Sequence, residues 1–137
     1  MSISTWFKER EEKRAEAKRL RFNAYMADVL DATIYNIELR GLSSQTWYGE
    51  MPDGTLTVMG AVSEATGGIM GSLTRFMGPF FRTMWQEVPY MPHTGSNSES
   101  VDRWAKSAGQ EDTIDLLQFI SALYRKDDPK IRYAKEN

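Results

Sequence analysis

The chain has 137 residues, 41% of them hydrophobic and 26% charged, with a formal net charge of -2, which describes one domain with one modest core and excludes a disordered polyelectrolyte. Cysteine is absent, and with it go disulfides, thiolate nucleophiles, iron–sulfur clusters and cysteine-ligated zinc. A sequence pI near 5.5 disfavours nucleic-acid binding by the surface as a whole and leaves only a local basic stripe for that task.

From Thr5 to about Leu39 the chain contains neither glycine nor proline, so one long helix is expected, with Thr5 as its N-cap and Gly41 as its stop. Leu20, Ala24, Ala27, Leu30, Ile34 and Ile37 recur at spacings of three and four, and Phe22, Met26, Val29 and Thr33 form a second stripe on another side. Two stripes predict a helix covered from two directions, the spine of the fold. Residues 33–40 also alternate, with Tyr35, Ile37 and Leu39 on one side, which is the pattern of a strand. The alternative fold is therefore α+β with a third strand at 33–40.

Thr46 to Met51, the turn Pro52-Asp53-Gly54, and Thr55 to Met59 read as a β-hairpin over about 46–59, because proline pre-sets φ and glycine takes the positive φ that closes the loop. Ser63 to Val88 reads as helix interrupted at Gly78-Pro79, as a kink or as two consecutive helices. Val88 to His93 is a proline-stiffened connector, and Thr94 to Ser100 a polar loop. A short helix from Val101 to about Ala108 ends near Gly109, and a last helix from about Thr113 to Arg125 starts at Asp112 and stops at Asp127-Asp128-Pro129. The expected fold is mainly α and single-domain over 1–137, with a long N-terminal helix, one hairpin, a kinked central helix and C-terminal helices. Residues 1–19 are expected to form a charged, projecting helical extension, and 130–137 a polar tail that need not be ordered.

The extension segregates its charge. Arg10, Lys13, Arg14, Lys18 and Arg21 cluster on one side, and Glu9, Glu12 and Glu16 on another. Such a basic stripe could lie along nucleic acid, or it is a solvated helix surface supported by weak pairs such as Glu9 with Lys13. Trp6 and Phe7 are two large aromatics at the outer end of this rod, out of reach of a compact core, and they suggest an anchor for another chain.

Met70, Met77, Met84 and Met91 stand seven residues apart, which is heptad-like, although Gly78-Pro79 and Pro89 break the register. Core filling and an adaptable interface are both consistent with that spacing. Phe76, Phe80, Phe81, Trp85 and Tyr90 bracket Arg82, and more aromatic surface is present than a small core absorbs easily. The partner-binding candidates are thus Trp6, Phe7, Phe76, Met77, Phe80, Phe81, Arg82, Met84, Trp85 and Tyr90. Gly67 and Gly71 form a small-xxx-small pair within a glycine-rich segment, 60–81, that offers a membrane-active alternative, opposed by Arg75 near its middle.

For catalysis the inventory is thin. His93 is the single histidine, and a Ser-His-acid arrangement would have to recruit Ser96, Ser98 or Ser100 from its flexible neighbourhood. There is no phosphate-binding glycine loop, dinucleotide fingerprint or paired-histidine motif, so no enzyme activity, cofactor or metal is expected. The first residues lack an apolar run after a charged start, so no secretory signal is expected, and the expected location is the cytoplasm or a particle assembled there. These readings converge on a non-catalytic structural or adaptor subunit of a larger assembly, of the kind found in virus particles or secretion machines. Its expected partners are other protein chains, in a homo- or hetero-oligomer. A nucleic-acid accessory role through the basic stripe is the alternative.

Overall fold

The computed structural model describes residues 2–43, 53–92 and 95–136. Its spine is α1 (Ile3–Arg40), capped by Ser2, whose hydroxyl accepts from the Thr5 backbone N–H at 3.1 Å, three residues upstream of the expected cap. The helix runs unbroken through 33–40, so the strand alternative there is wrong. Alternation over so short a stretch was outweighed by the longer period of three and four that precedes it.

The inner stripes fall as their periodicity demands only from Met26 onward. Met26, Ala27, Leu30 and Ile37 have no solvent exposure, and Val29, Thr33 and Ile34 are buried beside them, whereas Leu20 and Ala24 face water. Helix α2 (Val58–Ala65) covers one side of this stretch and α5 (Gln110–Arg125) the other. Helix α5 lies antiparallel to α1, tied at one end by Gln110 Oε1 accepting from the Leu42 N–H and at the other by Arg125 donating to Asp28. Helix α4 (Asn97–Ala108) bridges α2 and α5, and only Gly109, at φ +90, separates it from α5.

Among the described residues there is no strand, and the expected hairpin does not form. Its first arm, from Thr46, falls outside the described residues as far as Pro52. Its second arm is the start of a helix: Thr57 caps α2 by accepting from the Gly60 N–H, and Asp102 adds a carboxylate acceptor for the Met59 N–H. Capping chemistry on a buried segment thus overrode the β-like string Thr55 to Met59. What remains of pairing is a single bridge between Leu42 and Leu56, with the Ser43 N–H donating to the Leu56 carbonyl at 2.7 Å.

The break in the central helical segment also moves. It falls at Thr66–Ile69, where Gly67 and Gly68 take φ +67 and +69, and α3 (Met70–Glu87) then continues as one helix through Gly78-Pro79. Two successive left-handed residues cannot continue a helix. Proline removes one donor, and the carbonyl it orphans belongs to Arg75, an exposed position where water can take it up.

Most of the stretch 130–137, expected as a polar tail, lies in α6 (Pro129–Glu136), and Ile131 is completely buried against the body. Helix α6 packs on α3 and supplies cover that the sequence reading did not count.

Candidate functional site

The aromatic cluster of α3 lies largely inside the fold. Phe76 and Phe80 stack at 5.0 Å, Phe81 tilts against Phe80 at 5.9 Å, and Trp85 meets Phe81 edge-on at 6.1 Å. This column is interior: Phe76, Phe80 and Met84 have no exposed surface, and Met77, Phe81 and Trp85 are half-buried against the core. The expectation that the Phe76 to Trp85 patch is a docking surface therefore fails for Phe76, Phe80 and Met84, which have no area to offer a partner. Met84 and Met91 fill the core, so the methionine spacing reads there as packing. Arg82 and Tyr90 are exposed, Tyr90 almost fully.

The other half of that expectation lies on α1. Every described residue from Ser2 to Lys18 is exposed, and within this stretch Trp6 retains 45% and Phe7 55% of its surface in water. The two rings meet edge to face at 4.9 Å, and the Arg10 guanidinium sits 5.2 Å from the Trp6 ring centre. These contacts order an aromatic tip on a rod of charge. All five basic-stripe residues, Arg10, Lys13, Arg14, Lys18 and Arg21, are exposed.

The outer face continues past the point where the helix enters the body. Ala24, Asp28, Asp31, Tyr35 and Leu39 are exposed, Tyr35 and Leu39 by more than 60%. Asp28 and Asp31 share one guanidinium, that of Arg125, at 2.7 and 2.8 Å, so this acidic patch keeps a net negative charge. Sequence reasoning missed this half of the face, because it assigned Tyr35 and Leu39 only to a candidate strand. Extending the three-and-four spacing of Trp6, Arg10 and Lys13 along the helix would have found it.

At the root of the extension the carboxylate of Asp127 gathers three helical partners. It accepts from Arg19 Nε and Nη2 at 3.0 to 3.2 Å, from Asn23 Nδ2 at 2.7 Å and from Arg132 Nη2 at 2.7 Å. Arg19, first among these donors, holds the Asp127 carboxyl at about 2, well below its ordinary range. Beside this clamp, Ala15, Lys18, Arg19, Phe22, Arg75 and Pro79 line a groove of about 530 Å³ between α1 and α3. Arg75 lies 4.4 Å from the Tyr25 ring centre and 5.5 Å from that of Phe22, and the Tyr25 hydroxyl donates to the Ser72 carbonyl.

His93 lies outside the described residues, and among the described ones no group of three histidine or acidic side chains is arranged to hold a metal. No described helix is long and apolar enough to cross a membrane. Comparison of the chain with protein-family models, curated proteins and solved structures finds no match.

Proposed function

We propose that this chain is a non-catalytic structural or adaptor subunit, and that it docks onto other protein through the outer face of α1 rather than through the aromatic column of α3. The observation that carries this reading is the pair Trp6 and Phe7, half exposed at the tip of a helix whose first sixteen residues are all exposed. Aromatic rings are the side chains that anchor interfaces, and holding two of them in water at the end of a charged rod gives the isolated fold nothing in return. The flanking charges set orientation and discourage wrong registers.

A photo-reactive phenylalanine analogue at position 7, activated in cells that make the protein, tests this. Adducts concentrated on one or two protein chains, the chain itself included, are expected; adducts only with nucleic acid or lipid, or none, overturn the proposal. The nucleic-acid reading keeps one observation in its favour, the groove where Lys18 and Arg75 stand beside Phe22. It predicts binding that falls steeply with salt and is lost on reversing Arg14 and Lys18.

A further inference from the structure

We propose that the partner seated on the outer face of α1 is a second copy of this chain, laid antiparallel along the helix. The inference rests on the docking reading above and names its occupant.

Trp6, Arg10, Lys13, Ala17, Ala24, Asp28, Asp31 and Tyr35 are all exposed, and their spacing keeps them on one line down α1. Along that line the chemistry changes in order, from aromatic to basic to small, then from small to acidic to aromatic. Reversing the line about the point between Leu20 and Arg21 superimposes it on its complement. Trp6 then faces Tyr35, Arg10 faces Asp31, Lys13 faces Asp28, and Ala17 faces Ala24. A two-fold axis at that point makes each of these contacts twice, as a self-complementary interface requires.

Other arrangements of the same two helices fare worse. A parallel pair sets Arg10 on Arg10, Lys13 on Lys13 and Asp28 on Asp28, each a like-charge contact. The antiparallel register removes all of them, and its small residues, Ala17 and Ala24, flank the axis, where they let the two helices come close. The single Arg125 shared by Asp28 and Asp31 leaves that patch short of one positive charge, and Arg10 and Lys13 of the second copy arrive where it is missing.

The shape of the molecule fits the same arrangement. Met26, Leu30 and Ile37 bind the body to one side of the second half of α1, so the opposite side is open to a long helix. The extension of each copy lies along that open side of the other. The two bodies hang outward at opposite ends, and Trp6 gains a surface to cover it.

The absence of cysteine makes the test unambiguous, since any disulfide must come from introduced residues. Mixed under mild oxidation, Ala17→Cys and Ala24→Cys chains should form the 17-to-24 bridge in preference to either symmetric one. Light scattering on the full chain should show a dimer at micromolar concentration. Lys13→Glu and Asp28→Lys should each weaken it by about tenfold or more, while an equimolar mixture of the two restores it, because reversed charges then face each other. Circular dichroism on each variant separates lost association from lost folding. A chain that stays monomeric at every concentration, or that prefers the symmetric bridges, overturns the second copy as partner. If the position-7 cross-linker still captures a different protein, the docking reading survives that result; if it captures nothing, both fall.

Discussion

The two halves of α1 share one continuous backbone and differ in what their side chains touch. From Asn23 to Ile37 the helix is held by burial, with Met26, Leu30 and Ile37 wholly enclosed by α2 and α5. From Ser2 to Lys18 no side chain is buried, and helicity rests on the Ser2 cap, on good helix formers such as Glu, Lys, Arg and Ala, and on neighbouring charges worth a few tenths of a kcal/mol each. An isolated helix of that length is marginal in water because nucleation is costly. Here the inner half supplies the nucleus, so the outer half only has to propagate. A projecting helix is therefore inexpensive to build once its root is locked, and its surface is left free for other uses.

The comparison can be broken most sharply in the core. Truncating Leu30 or Phe76 to alanine should cost about 3 to 5 kcal/mol in urea unfolding, whereas Trp6→Ala should change stability by less than about 0.5 kcal/mol while abolishing association. A large stability loss at Trp6 would mean that the outer half is part of the cooperative unit after all.

The next largest effect is expected at the root. Asp127→Ala removes a carboxylate that accepts from Arg19, Asn23 and Arg132, and should cost about 2 kcal/mol and loosen both α6 and the base of the extension. Because the folded-state value near 2 lies below the ordinary 3.8, the stabilisation from this group is complete above pH 4 and disappears as pH falls through 2. Acid titration of the wild type against Asp127→Asn measures that contribution directly.

Asp102 should act with the opposite sign. Burial pushes its carboxyl from 3.8 up to about 7, against the pull of the Met59 and Val58 N–H groups and the Thr57 side chain. The folded state then binds the proton more tightly than the unfolded chain, so this residue favours folding most below pH 4, and the advantage declines between pH 4 and 7. In Asp102→Asn that slope should vanish. The smallest effect is local: amides of the outer half should exchange faster than those from Asn23 to Ile37, and adding the partner should slow the outer ones selectively.

What the sequence disclosed and what it concealed follow the same division. Helix α1, its stop at Gly41 and the end of α4 at Gly109 were readable, because uninterrupted periodicity and glycine act within a few residues. The core part of the methionine and aromatic run was legible as apolar but not as enclosed. Enclosure is set by helices brought together from distant parts of the chain, and one of them, α6, is specified by one isoleucine, Ile131, in a mostly polar string. The hairpin reading failed at Thr57, whose capping role becomes visible only once Asp102 is brought next to it from the other end of the chain. On the candidate site, Trp6, Phe7 and the basic stripe were visible from composition alone. Asp28, Asp31, Tyr35 and Leu39 were not singled out, since exposure on the far side of a buried helix is a property of the fold.

A rod gripped at its base is a lever, and the Asp127 carboxylate is its fulcrum. Arg19 and Asn23 reach it from the first helix and Arg132 from the last, so the base of the rod and the last helix are fastened to one carboxylate, and its loss unties both at once.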